Sequence, residues 1–178
     1  MMTDRADNPF APPRATLGQG VGPAGDPSHR GLVRHVLPVA ILMIVQGAIE
    51  LLFAVLMLAA AVMVPMMMPD DFGNAEGQPV PIKWVMLGTY GIMGLGGLLA
   101  GVLHVVGGIF GLRFRRRKFG VVALAAGMAG IFTCYCGPTA IALGIYGLVT
   151  YLNPSVIAAF ALGDAGVPAA DIRARFGV

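Results

Sequence analysis

Two ionisable side chains lie inside long apolar segments of this sequence, Glu50 in the first segment and His104 in the second. A bare carboxylate in the hydrocarbon of a bilayer costs at least about 3 kcal/mol, so we expect Glu50 to be protonated, paired or wetted by a cavity. Gln46 precedes it by one helical turn. Two interpretations of Glu50 are open: a neutral acid hydrogen-bonded across a helix bundle, and a proton or cation site.

His104 belongs to the same hypothesis because of its depth in the second segment. It precedes Arg113 by nine residues (113 − 104), which is about 13 Å at about 1.5 Å per residue. Gln46 follows Arg34 by twelve residues (46 − 34), or about 18 Å. An antiparallel hairpin therefore brings His104 near Gln46, and within reach of Glu50 if the first helix starts deeper. His104 is either a neutral donor to a backbone carbonyl or a titrating partner.

The two cysteines of the chain, Cys134 and Cys136, follow a CxC spacing. That spacing lacks the geometry of a CxxC redox helix, and a disulfide ring between residues two apart is strained. Cysteine and methionine are soft ligands that suit copper(I), and the methionines at 66–68 are predicted on the same outer side. Inert thiols that only pack are the simpler interpretation, so we predict no metal and no cofactor.

Membrane helices are the elements that must position these groups. Of the 178 residues, 57% are hydrophobic and only 12% are charged, which is less polar surface than a soluble domain needs. A block of basic residues between two apolar segments is typical of the cytoplasmic end of a transmembrane helix and of contact with anionic lipids, not of a nucleic-acid surface. The block consists of Arg113, Arg115, Arg116, Arg117 and Lys118.

We therefore predict an all-α membrane protein with four transmembrane helices in two antiparallel hairpins. The first two segments are longer than a hydrocarbon layer of about 30 Å requires, so they tilt or project beyond it. The predicted spans are about 36–64, 84–112, 119–135 and 138–152, within a membrane domain at 34–162. A disordered cytoplasmic tail is predicted at 1–33, a short interfacial helix at 154–162 and a cytoplasmic tail at 163–178.

The distribution of positive charge predicts the orientation. Arg34, the block at 113–118, Arg173 and Arg175 fall on one side of such a bundle, whereas the outer loops hold only Lys83. Because cytoplasmic loops carry the excess of Lys and Arg, both termini are predicted to be cytoplasmic, in a multi-pass protein of the cell inner membrane.

Small residues recur at helical spacing along every predicted span. Glycine allows two helix backbones to approach, and van der Waals packing holds helices together where lipid offers no hydrophobic force. The interpretation that we favour is the packing seam of a four-helix bundle, and the alternative is a glycine-lined conduit. The predicted packing positions are Gly47, Gly94, Gly97, Gly101, Gly108, Gly127, Gly144 and Gly147.

One segment near the carboxyl terminus shows a family resemblance. Leu143-Gly-Ile-Tyr-Gly-Leu148 is followed by Leu152-Asn-Pro-Ser-Val156 and by Ala159-Phe160. This pattern resembles the carboxy-terminal segment of many small, largely uncharacterised bacterial multi-span membrane proteins, with Ser155 where an acidic residue is common. The resemblance covers about residues 143–160. It implies a last span followed by an interfacial helix, and it implies no activity.

No Rossmann, P-loop or zincin pattern occurs in the sequence, so no enzyme activity is predicted. The leading hypothesis is a non-catalytic scaffold, assembly or regulatory subunit that acts through helix packing. One alternative is a small oligomeric transporter or channel that uses Glu50 and His104, and another is an extracytoplasmic thiol or copper site at Cys134 and Cys136. The expected partners are the bilayer, anionic lipids at the basic loop, and a second copy or another membrane protein, with no nucleic acid.

Overall fold

The computed structural model describes residues 31–69, 81–129 and 137–178. These residues form helices and no strand, which confirms the predicted all-α class within those ranges. A 3-10 turn at Val33–His35 leads directly into the first helix. The helices are α1 (Val36–Met67), α2 (Ile82–Leu112), α3 (Arg117–Ala129), α4 (Gly137–Tyr151), α5 (Pro154–Asp164) and α6 (Ala169–Phe176).

Two of these helices, α1 with its preceding turn and α2, are long and apolar enough to cross a membrane. A third candidate is the pair α4 and α5, which are bent by 76° at the break between them. The described part of α3 has 13 residues, fewer than the roughly 20 that a span needs. Length and composition thus indicate a membrane protein with two or three spans in the described ranges, and the arrangement with four spans stays a prediction.

α1 extends beyond its predicted end at residue 64 and includes Pro65 before it ends at Met67. Proline has no N–H to donate to the carbonyl one turn earlier, which usually stops a helix. Pro65 therefore leaves the Ala61 carbonyl without that hydrogen bond, and α1 ends two residues later. α2 begins at Ile82, directly after Pro81 (φ −58°, ψ 135°) and two residues before the predicted start at Trp84.

Glycines set the register of α1 against α2. A Cβ placed on Gly47 would lie 2.7 Å from the carbonyl oxygen of Gly101, and a Cβ placed on Gly101 would lie 2.9 Å from the carbonyl oxygen of Gly47. The two backbones are therefore in direct contact at this crossing. On one side of it Gly108 faces the Ala40 carbonyl, and on the other Gly94 faces Leu58, so α1 and α2 run antiparallel along most of their length.

Four of the packing positions predicted on these two helices are buried: Gly47, Gly94, Gly101 and Gly108. Gly97, with its Cβ position 3.4 Å from the Ala54 Cβ, lies on the same seam. α1 buries Val36, Val39, Ala40, Met43, Gln46, Gly47, Ala54 and Ala61. α2 buries Gly94, Gly101, His104, Gly107, Gly108 and Gly111.

α3 and α4 pack on the part of α1 and α2 that lies near the basic block. Gly107 of α2 faces Ala123 of α3 at 3.0 Å from its Cβ position. Between α3 and α4, Gly147 faces the Leu124 side chain and Gly144 faces Met128. A core of large side chains results, and its fully buried members include Met43, Leu124, Tyr151, Phe160 and Ile172.

The carboxyl-terminal part differs from the sequence prediction. The helix predicted at 154–162 runs from Pro154 to Asp164, and the Asn153 side chain caps it by accepting a hydrogen bond from the Ser155 N–H at 3.0 Å. Residues 163–178 were predicted as a tail, yet they contain α6, in which Ile172 is fully buried. Eight residues are too few for a stable helix in isolation, so α6 depends on its contacts with the rest of the chain.

The basic block is not a uniform charged stretch. Phe114 lies in its middle with 4% of its surface exposed and packs against Phe160, with ring centroids 5.7 Å apart. Phe114 and Arg116 both have a positive φ, 53° and 52°, and the Arg116 N–H donates to Asp164 Oδ1 at 2.9 Å. These contacts fix the α2–α3 connection against α5.

Candidate intramembrane polar site

Gln46, Glu50 and His104 meet at the seam between α1 and α2. The Gln46 side-chain amide donates to Glu50 Oε1 at 3.0 Å, and His104 Nδ1 lies 2.8 Å from Glu50 Oε2. Each carboxyl oxygen thus has one polar partner. The His104 side chain is 2% exposed and that of Glu50 is 12% exposed, so the imidazole lies inside the fold and the carboxyl group at its rim.

The direction of helical side chains explains why these two residues meet. The Glu50 carbonyl oxygen lies 3.7 Å from the Cβ position of Gly97, whereas Gly47, one turn earlier, lies against Val105. The Cα atoms of Glu50 and His104 are therefore about one helical turn apart along the seam. Because side chains lean toward the amino end of their own helix, those of two antiparallel helices lean toward each other here and close that gap.

Gly127 of α3 makes room for the imidazole. A Cβ placed on Gly127 would overlap the Cε1 and Nε2 atoms of His104. Gly127 was predicted to be a general packing position, and in the structure its neighbour is the His104 ring. α3 therefore lies on the side of His104 that carries Nε2, while Nδ1 faces Glu50.

The depth of the contact follows if the hydrocarbon layer starts at the basic end, as the sequence predicts. Glu50 follows Val36 by 14 residues (50 − 36), and His104 precedes Leu112 by eight (112 − 104). These separations are about 21 Å and about 12 Å, so the leaning side chains meet roughly halfway across about 30 Å of hydrocarbon. At that depth the donor from Gln46 and the contact with His104 give the Glu50 carboxyl group polar partners that lipid does not provide.

A second polar contact, absent from the sequence prediction, joins the start of α1 to α4. His35 Nδ1 lies 2.6 Å from the Tyr146 hydroxyl oxygen, the two rings meet edge to face at 5.9 Å, and Arg34 Nε donates to His35 Nε2 at 3.4 Å. In the sequence His35 directly precedes the first predicted span, at about 36–64. Its partner is 111 residues away, and no local pattern identifies such a pair.

The basic residues lie around the same end of the molecule. Arg113, Arg115, Arg116 and Lys118 are exposed, whereas Arg117 is half-buried and donates from Nη1 to the Tyr151 carbonyl oxygen at 3.1 Å. The Arg116 guanidinium stacks on the Phe110 ring, 5.0 Å from its centroid. The exposed members offer charge to a surface outside the fold, and Arg117 secures α3 to the end of α4.

Cys134 and Cys136 lie outside the described residues, as do the acidic part of the first loop and the last six residues, 130–135, of the predicted third span. Within the described ranges no group of three or more His, Cys, Asp or Glu side chains is placed to hold a metal ion. Met66 and Met67, two of the three methionines of the copper hypothesis, end α1 with 79% and 80% of their surfaces exposed.

Comparison with known proteins adds no family to this description. No family model matches the sequence, and neither the curated proteins nor the solved structures give a match.

Proposed function

We propose that this chain is a non-catalytic integral membrane subunit, a scaffold, assembly or regulatory component, that binds a partner through the outer half of its α1–α2 hairpin. The outer half comprises residues 51–67 of α1 and 82–97 of α2. The length of α1 is the observation that carries the proposal. Its 32 residues extend about 48 Å, and at the steepest usual tilt of about 40° they still cover about 37 Å, more than about 30 Å of hydrocarbon.

The part that extends beyond the hydrocarbon is apolar and exposed. Trp84 has 65% of its surface exposed, Met66 has 79% and Met67 has 80%. Large apolar side chains that leave the lipid are usually covered by a protein surface. Unbranched, polarisable methionines suit such a contact because they adapt to the shape of a partner.

The opposite end of the molecule supports the orientation in this proposal. The exposed arginines of the block at 113–118 lie where anionic headgroups attract each charge by about 1 kcal/mol. The proposal thus keeps four spans, both termini in the cytoplasm and an inner-membrane location. The basic end contacts anionic lipid, and the outer half of the hairpin contacts the protein partner.

Copurification from native membranes in mild detergent tests this function. One defined membrane protein is expected to copurify with the wild-type chain. The double variant Met66→Gln/Met67→Gln is expected to lose it, because two amides replace the adaptable apolar contact. Val149→Gln is the matched control, since Val149 is a 60% exposed apolar residue on α4. A wild-type chain that purifies alone, or equal recovery with both variants, contradicts the proposal.

A second function, a small oligomeric transporter or channel, is favoured by the Glu50–His104 contact near mid-depth. Ionisable residues inside membrane helices commonly mark ion or proton pathways. A bundle this small has little room for a central cavity, so transport requires several copies. Flux through proteoliposomes that is lost in Glu50→Gln supports this function, and a monomeric mass in detergent without flux contradicts it.

A further inference from the structure

We propose that Glu50 and His104 form an exchangeable proton-binding site, in which Glu50 takes up and releases the proton and His104 is its internal partner. This inference rests on the second function above and names the proton as the ligand. The hypothesis from sequence named a proton or a cation as the ligand of such a site. The contact between a carboxyl oxygen and an imidazole nitrogen at 2.8 Å favours the proton, because one proton fits between these two atoms.

The site has three protonation states. With one proton the pair has zero net charge, either as carboxylate and imidazolium or as carboxylic acid and neutral imidazole, and these two forms differ only in whether the proton is bonded to oxygen or nitrogen. Uptake of a second proton forms an O–H bond on Glu50 beside the imidazolium, and the net charge becomes +1. Loss of the shared proton leaves a carboxylate beside a neutral ring, which keeps its own N–H, and the net charge becomes −1.

No other described group sets the charge of this site. On α1 the neighbouring polar group is the Gln46 amide, which is neutral and donates to Glu50. On α3 the contact is Gly127, which has no side chain. The two tyrosines of α4 have partners elsewhere, Tyr146 with His35 and Tyr151 with Met43. Among the residues that the structure describes, Glu50 and His104 alone decide the charge.

The difference in exposure assigns the two roles. His104 is enclosed between α1, α2 and α3 and has 2% of its side chain exposed, whereas Glu50 keeps 12%. At this depth the surface of a single copy faces lipid, so in the proposed oligomer a proton reaches the carboxyl group first, where neighbouring copies enclose that surface. Gln46 donates to Oε1 while His104 occupies Oε2, so the carboxyl group stays oriented in each state. Gly127 leaves room for the imidazole beside Glu50, since any larger residue at this position would displace the ring.

Infrared spectroscopy of the full chain in liposomes across about pH 5 to 8, where histidine pairs titrate, tests the site. We expect a C=O band of a buried carboxylic acid whose intensity changes with pH and which is absent in Glu50→Gln. In His104→Asn the midpoint of this change is expected to move. Asp164→Asn is the matched control, because Asp164 is an exposed carboxyl group at the basic end, and this variant should keep the band.

A Glu50 band that is constant over this range, or no band that Glu50→Gln removes, overturns the proposal, because a fixed hydrogen bond between helices does not titrate. If Glu50→Gln does not fold, the unchanged midpoint in His104→Asn serves as the contradicting result. The infrared result and a flux measurement test the proton site and the transporter separately. A titrating band without flux keeps the proton site and removes the transporter, whereas flux with a constant band keeps the transporter and removes the proton site.

Discussion

The inner and outer halves of the α1–α2 hairpin are built from similar residues but pack differently. The inner half consists of residues 36–50 and 98–112, and the helices α3, α4, α5 and α6 pack at this end. All the largest fully buried side chains of the described chain belong to it, from Val33 to Ile172. In the outer half the buried hydrophobic residues are two alanines, Ala54 and Ala61. One half has a core, and the other has only a seam.

The difference shows that helix pairing in this chain does not depend on a core of large side chains. Gly94 and Gly97 hold α2 against α1 in the outer half through contacts with Leu58 and Ala54. These contacts leave the large apolar residues of both helices facing outward. The inner half therefore specifies the fold, and the outer half presents surface to lipid and to the proposed partner.

The largest effect is expected where the two backbones touch. Gly47→Ala places a Cβ 2.7 Å from the Gly101 carbonyl oxygen, and backbone atoms cannot rotate away. Overpacking of this kind typically costs about 1–3 kcal/mol. Gly91→Ala is the control, because nothing lies within 4 Å of its Cβ position. Thermal unfolding in detergent should show a lower midpoint for Gly47→Ala only, and equal midpoints would contradict the register described here.

The polar pair is expected to give the next largest effect. Glu50→Ala and His104→Ala each leave a buried partner without its hydrogen bond, and double-mutant cycles in membrane bundles give about 0.6 kcal/mol on average and at most about 1.7 kcal/mol. We expect a coupling energy in this range from unfolding of the two single variants and the double variant. Additive effects of the two substitutions would show that the contact does not form in the bilayer.

A smaller effect is expected at the cap of α5. Asn153→Ala removes the side chain that accepts from the Ser155 N–H, and the loss of such a cap costs about 1 kcal/mol. Because α5 packs Phe160 against Phe114, the loss should also loosen the inner end. Hydrogen exchange of α5 amides should be faster in this variant while α1 amides in the outer half keep their rates. Uniform acceleration along the chain would contradict a separate inner core.

The smallest effect on stability is expected at the tip of the outer half. Met67→Ser changes a side chain that is 80% exposed, and such surface changes usually stay within about 0.5 kcal/mol. The midpoint of unfolding of the purified chain should therefore not change. Destabilisation well beyond this value would mean that the tip packs on the chain itself rather than on a partner.

Much of the fold follows from the sequence because helical spacing alone selects a face. Gly47 and Gly101 are packing positions predicted from this spacing, and the structure buries both. Helix ends were less predictable, since α1 continues for two residues past Pro65 although proline usually interrupts a helix. α6 was missed because its helix depends on the burial of Ile172 by residues that are distant in sequence.

The site was predictable in part for a similar reason. Depth along each helix placed His104 near Gln46, but only the opposite lean of the two side chains brings it to Glu50. Gly127 was recognised as a small residue, whereas its role in making room for the imidazole depends on how α3 approaches α2. The pair of His35 and Tyr146 had no sequence signal, because the two residues lie 111 positions apart, one before the first span and the other within α4.

The central claim is that the α1–α2 hairpin crosses the bilayer with the basic connection on one side and the loop between the two helices on the other. Reporter fusions after Asn74 and after Arg117, compared in intact cells, test it directly. The account predicts an extracytoplasmic reporter at Asn74 and a cytoplasmic reporter at Arg117. Two reporters in the same compartment would contradict it.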